Sequence, residues 1–159
     1  MPSATFKNHA AIVCDNDSAQ PCAAPPVIDD AAVVLPDIDG IDTALGMQNS
    51  GDAADLYLEL LSIFVADYCD FIRNFVHRVS AGEWADARRL AHTLKSVTGV
   101  LGITQVRASA EQLELACKQQ SAETIRERLA VLEIELSSVL GALQRFFASE
   151  TCLHGIAID

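Results

Sequence analysis

Apolar residues recur every three and four positions through most of this chain, in stretches broken by short polar or glycine-containing turns. That period puts them on one face of an α-helix, and no stretch shows the alternation of a strand. A short helix is expected over residues 41–48, ending before Asn49-Ser50-Gly51. Asp52 reads as the N-cap of one long helix reaching about residue 80, with Leu56, Leu60, Phe64, Tyr68, Phe71, Phe75 and Val79 inward. Ala81-Gly82 breaks it. The next helix, over 83–101, turns Trp84, Ala87, Ala91, Leu94, Thr98 and Leu101 inward and stops at Gly102. Thr104 is the expected cap of a helix to 119, lined by Val106, Ala110, Leu113 and Cys117. Ser121 is the expected cap of the last, over 122–147, lined by Ile125, Leu129, Leu132, Leu136, Val139, Leu143 and Phe146. Short connections make consecutive helices antiparallel. The fold class that follows is all-α: an antiparallel up-down four-helix bundle with a short extra N-terminal helix at one end.

Three regions are expected. Residues 1–36 hold all five prolines and lack an apolar period, so they read as a flexible linker or tail, with Val33-Val34-Leu35 against the domain edge. Residues 37–148 form the bundle, and 149–159 a C-terminal tail too short to fold alone. A linker of this length implies a domain that is, or descends from, a piece of a larger protein. The Leu- and Ala-rich composition, with 6 % aromatics, suits packed helices.

A net charge of −11 makes the chain a poor ligand for nucleic acid and for anionic lipid, since it offers no field to displace counterions. No apolar stretch has the length of a membrane span, and the N-terminus has no signal-peptide pattern. Cys14, Cys22, Cys69, Cys117 and Cys152 are odd in number and widely spaced, so they read as reduced thiols in a cytoplasmic setting, with Cys69 and Cys117 as small core hydrophobes. The cytoplasmic reading holds for a free domain and for the inner portion of a membrane-anchored protein.

The helix over 83–101 carries the chemistry. With Ala87 at 0° and about 100° per residue, Ala91, Leu94 and Thr98 lie within about 40° of it. His92, Ser96 and Gly99 form a separate stripe at roughly 120–180°, and Arg88 and Lys95 flank it on the core-ward side. A neutral imidazole nitrogen is a good nucleophile near neutral pH. A phosphoryl group on it brings about two negative charges. Lys95 lies within a turn and is expected to reach over the ring, with Arg88 assisting. Ser96 can donate a hydrogen bond, and Ser96 and Gly99 clear space for another protein's backbone. A mid-helix glycine costs on the order of 1 kcal/mol, so a packing or docking reason is expected for it. Projection alone does not separate this reading from a solvated surface histidine.

The run His92-Thr93-Leu94-Lys95-Ser96-Val97-Thr98-Gly99-Val100-Leu101-Gly102 resembles the signature of histidine-containing phosphotransfer (HPt) domains, His-x-Leu-Lys-Gly followed by a hydrophobic residue and Gly. The lead-in Ala87-Arg88-Arg89-Leu90-Ala91 and the later Leu113-Glu114 fit as well. Leu35-Pro36-Asp37-Ile38-Asp39 and the run from Gly51-Asp52 to Leu60-Leu61 are similar to the openings of the HPt domains that end bacterial hybrid sensor kinases. The resemblance covers about residues 35–147. It implies a four-helix bundle whose histidine, here His92, accepts a phosphoryl group from a receiver-domain aspartate and passes it to another. It implies that Lys95 is the lysine beside the acceptor, and that Glu114 stands where a Gln or Glu of the facing helix contacts the site. It implies response-regulator receiver domains and a hybrid sensor kinase as partners. Ser96 departs from the usual Gly, and Glu114 from a frequent amide. An acid at 114 either accepts from the ring and holds its tautomer, repels the phosphoryl group, or forms only a surface pair with Lys118.

No nucleotide-binding motif is present, so the chain lacks an ATP site of its own and is expected to relay phosphoryl groups made elsewhere. No cofactor and no metal site are expected, since His9, His77 and His154 are far apart, while a divalent cation is expected on the receiver. Trp84 reads as a core anchor and Phe146-Phe147 as packing at the bundle end. Residues 37–148 carry sixteen acids and ten bases, and Arg88, Arg89, Lys95 and Lys118 gather around His92, a locally basic face suited to an acidic receiver pocket. The main alternative is a non-catalytic helical adaptor that binds a partner through the same face with His92 idle. A receiver phosphatase using His92 as a general base ranks below both, for want of a second catalytic group.

Overall fold

The computed structural model of the protein describes residues 33–154, with side chains from 33 to 149. Expectations for residues 1–32, including His9, Cys14 and Cys22, for the side chains of Cys152 and His154, and for 155–159 lie outside the described residues. The described residues are all-helical: α1 (Thr43–Asn49), α2 (Ala54–Tyr68), α3 (Phe71–Ser80), α4 (Trp84–Leu101), α5 (Thr104–Gln119) and α6 (Ala122–His154), with a single bridge between Ile41 and Ile103 outside them. None is long and apolar enough to cross a membrane. The principal partner of α4 is α5, and α5 also packs on α6. Helices α1 and α3 lie against α4, and α2 against α6.

The long helix expected to reach residue 80 is two helices. The chain leaves helical geometry at Asp70 (φ −102°, ψ 8°). Asp70 then opens α3, where its carboxylate favours the positive helix end and meets Arg73 at 2.6 Å. The aromatic series bridges the break: Phe64–Tyr68, Tyr68–Phe71 and Phe71–Phe75 have ring centroids 4.8, 6.0 and 5.9 Å apart. Asp52 is not a cap. It sits in the left-handed region at φ 57° and donates its backbone N–H to Met47, while Ala53 takes the N-cap position. Leu56, expected inward, is 45 % exposed, and Tyr57 is buried instead because its hydroxyl donates to the Leu101 carbonyl at 2.9 Å.

The core from α4 onward is as the periodicity predicts. Ala87, Ala91, Leu94, Thr98 and Leu101 are buried in α4, and Val106, Ala110, Leu113 and Cys117 in α5. Ile125, Leu132, Leu136, Val139 and Leu143 are buried in α6, with Leu129 packed against them. Trp84 is half-buried against the core, and Phe146 and Phe147 pack edge to face at 5.3 Å. Leu35 packs on the core while Val33 and Val34 stay exposed. Thr104 is the first residue of α5 rather than its cap, and its N–H is taken by the Gly40 carbonyl at 3.2 Å. Ser121 does cap α6, its Oγ accepting from the Thr124 N–H at 3.4 Å. The expected unstructured tail is in part helix, since α6 continues to His154.

The C-terminal end of α4 is held from outside. Helical carbonyls in a last turn have no partner of their own. Asn49 of α1 donates its side-chain amide to Val100 (3.0 Å) and Gly99 (3.4 Å), and Tyr57 of α2 takes Leu101. Gly102 turns left-handed at φ 76°, and its carbonyl accepts from the Asp42 N–H at 2.7 Å. Helix α4 is therefore fixed at the end that follows its histidine.

Candidate functional site

His92 lies in the middle of α4, on the side away from the buried face, with its side chain 59 % exposed. Its Nδ1 stands 3.3 Å from Oε1 of Glu114 on α5. No described residue bonds Nε2. The facing helix brings the acid there because Leu113 and Cys117 fix α5 against α4, leaving Glu114 at the seam between them.

Glu114 is the best-partnered side chain of the site. Its side chain is 6 % exposed, and Oε2 accepts from Lys95 Nζ at 2.7 Å while Lys118 Nζ lies 3.7 Å from Oε1. The Lys95 hydrogen bond holds the Glu114 carboxyl below the usual carboxylate range; burial opposes this, and His92, with the charges of Lys95 and Lys118, adds to it. The carboxylate is thus ionised at neutral pH in a place where an unpaired charge would be costly. The surface pair with Lys118 exists, at the longest distance of the three, but the acid is buried and its first partners are on α4.

Lys95 is consequently not poised over the ring, as its spacing on α4 predicts, but directed across to α5. The side chains that share a cleft of about 350 Å³ with His92 and Glu114 are Ala85, Arg88 and Arg89. Arg89 is paired with Asp86 at 3.3 Å, whereas Arg88 forms no ion pair among the described residues. On the other side of Lys95 a shallower hollow is lined by Lys95, Ser96, Gly99 and Arg107.

The docking residues are placed as follows. Ser96 is exposed, but its hydroxyl donates to the His92 carbonyl at 2.9 Å, within its own helix. Gly99 is half-buried, and the space a side chain would take there is filled by Arg107 of α5, whose Nε lies 3.3 Å from the position of a Cβ. Part of the room expected for a partner's backbone is therefore used inside the protein. Sequence reasoning did not single out Arg107. Its place depends on the register of α5 against α4, and the one local signal was the otherwise unexplained mid-helix glycine. An apolar groove borders the same face, lined by Leu60, Ile63, Tyr68, Ser96, Val97 and Val100 among others.

Among the described residues, no group of three or more His, Cys, Asp or Glu side chains is arranged to hold a metal ion. Buried Cys117 has its thiol pushed up to about 11 by desolvation and by the neighbouring Glu114 charge, so it is a packing residue and no nucleophile at neutral pH. The site thus offers one exposed imidazole with a single free nitrogen, a buried carboxylate behind it and guanidinium groups beside it. That set suits accepting an anionic group.

No curated protein and no solved structure matches the chain. The Hpt domain family matches residues 59–145, from within α2 to near the end of the described side chains of α6, with His92, Lys95 and Glu114 all inside the match. That span is more than half of the 159 residues, and the chain belongs to the Hpt domain family, whose role is histidine phosphotransfer in two-component phosphorelays.

Proposed function

We propose that the chain is a relay intermediate: His92 accepts a phosphoryl group from the aspartate of one receiver domain and passes it to the aspartate of another. One observation carries this reading: a free imidazole nitrogen on an exposed ring backed by a buried, ionised carboxylate. In the forward step the Nε2 lone pair attacks phosphorus, the N–P bond forms, and the bond from phosphorus to the aspartyl oxygen breaks, releasing the carboxylate. Arg88, and Arg89 beside it, lie in the cleft where the transferred oxygens arrive. Lys95 acts mainly through Glu114, whose charge it balances. Ser96 and Gly99 belong to the surface a receiver docks on, and Arg107 joins them.

In this reading α2 with α3, α4, α5 and α6 form an antiparallel up-down four-helix bundle over residues 37–148. The first two make a single broken member, and α1 is the extra helix at one end. The domain works in the cytoplasm, fed by a hybrid sensor kinase, and needs no cofactor of its own because the receiver supplies the divalent cation. Incubation with a phosphorylated receiver is expected to label the domain at an acid-labile position, and His92→Gln is expected to abolish the label. Equal labelling of the variant excludes the relay.

A second reading, a non-catalytic adaptor with His92 idle, is favoured by the apolar groove between α2 and α4. Receiver binding that survives His92→Gln without any phosphotransfer selects it.

A further inference from the structure

Helix α6 carries apolar residues on two opposite faces. With Glu127 at 0° and about 100° per residue, the buried Leu132, Leu136, Val139 and Leu143 fall at roughly 120–180°. Glu127, Val131, Ile134, Ser138, Gly141 and Arg145 all fall within about 40° of 0°, so they form one stripe on the outer side. Ile134 is 73 % exposed, more than any other large apolar side chain among the described residues, and Val131 is 48 % exposed. The outer side of a bundle helix is ordinarily polar, and branched apolar side chains one turn apart there mark a surface for contact.

The order of residues along the stripe says what fits it. Positions 127 and 145, 131 and 141, and 134 and 138 are each placed symmetrically about the level of Leu136. Two copies of α6 laid antiparallel about a two-fold axis at that level bring Glu127 of each copy to Arg145 of the other. They also bring Val131 to Gly141 and Ile134 to Ser138. Each branched side chain meets a position with little or no side chain, as a knob meets a hole. Each charge meets its opposite. Neither Glu127 nor Arg145 has an ion pair among the described residues. They cannot meet within one chain, because about 27 Å of helix separates them. Instead, Nη1 of Arg145 lies 3.5 Å from where a Cβ of Gly141 would stand, so the guanidinium lies along the stripe itself. A parallel pairing would set Glu127 against Glu127 and Arg145 against Arg145, so the charges select the antiparallel one.

We propose that the outer face of α6 is the seam of a homodimer, in which a second copy of this chain lies antiparallel in this register. Helix α6 packs on α5 and α2, so a copy on its outer side leaves the α4–α5 seam that holds His92 open on both protomers. The dimer carries two separate receiver-facing sites related by the two-fold axis. A seam about 27 Å long and one helix diameter across is smaller than a standard interface, so the association is reversible and no tighter than the micromolar range.

The test is sedimentation equilibrium of the full chain. From about 5 to 500 μM, monomer is expected to pass into dimer. Ile134→Glu places a charge at the centre of the seam twice over. It is expected to raise the dissociation constant roughly a hundredfold, while the exposed position leaves the far-ultraviolet circular dichroism unchanged. At low salt, Glu127→Arg and Arg145→Glu each oppose like charges and are expected to weaken association about tenfold. The two exchanged together are expected to restore it to within about twofold. That recovery requires the antiparallel register, since the two positions meet only between copies. A monomer at every concentration overturns the proposal, as does a dimer indifferent to Ile134→Glu. A dimer in which the double exchange recovers nothing overturns it too, because its seam is not this one. Hydroxyl-radical footprinting at about 5 μM separates out the remaining occupant. Protection of Val131 and Ile134 in the monomer means that a segment of the same chain covers the face, and overturns the proposal.

Discussion

Replacing Gly99 by alanine brings a methyl group to 3.3 Å from Nε and 3.4 Å from Cδ of Arg107, the movable part of a long side chain. Gly99 is helical, and alanine there gains roughly 0.5–1 kcal/mol of helix propensity. The gain exceeds the small cost of displacing an exposed guanidinium, so Gly99→Ala is expected to raise the melting temperature by a few degrees. Receiver-dependent labelling of His92 is expected to weaken while labelling by phosphoramidate stays unchanged. A variant that is both less stable and fully active in transfer would contradict the placement of Arg107. The individual residues differ in how legible they are in the sequence. His92, Ser96 and Gly99 share one helix, so 100° steps align them without any knowledge of the fold. Glu114 came from the resemblance, and its ionisation and its hold on Lys95 depend on how α5 meets α4. For the same reason Lys95 reads from spacing as a partner of the ring, yet its ammonium is closer to the acid across the seam, where a charge-assisted bond is available.

Helix ends are legible where glycine marks them and illegible where another segment supplies the partners. Gly102 is foreseeable as the stop of α4, but the hold on that stop by Asp42, Asn49 and Tyr57 is not, because those partners lie more than forty positions away. A Cβ on Gly102 would collide with the Asp42 carbonyl oxygen, and the residue is at φ 76°. Gly82 has nearly the same conformation, φ 74°, with nothing within 4 Å of a Cβ. Gly82→Ala therefore costs only the left-handed backbone, about 1–2 kcal/mol. Gly102→Ala adds overpacking of about 1–3 kcal/mol. Urea unfolding of the two variants should give a clearly lower midpoint for Gly102→Ala, and equal midpoints would remove the α1–α4 lock. The break between α2 and α3 was missed for a related reason. The apolar period continues across Asp70, and one polar residue with a local ion pair interrupts the backbone without disturbing the aromatic series.

Charge is the property of the whole domain that bears on how it meets a partner. By count, residues 37–148 are acidic, and Arg88, Arg89, Lys95 and Lys118 make the His92 face basic. The structure redistributes that face. Lys95 and Lys118 share Glu114, and Arg89 is held by Asp86, so their fields are largely cancelled at short range. Arg88 and Arg107 form no ion pair among the described residues and remain available to an acidic surface. Long-range attraction between exposed charges is screened over about 10 Å at 0.1 M salt. It acts chiefly on the encounter rate. Receiver-to-His92 transfer measured below saturation should therefore slow several-fold as salt is raised from about 0.05 to 0.5 M. Arg88→Ala and Arg107→Ala should each lower the low-salt rate and flatten that slope. Lys118→Ala, which removes a cation already facing Glu114, should leave the slope nearly as it was. A slope reduced equally by all three substitutions would mean that the paired and unpaired cations act alike, and that the count of charges, not their partners, sets the encounter.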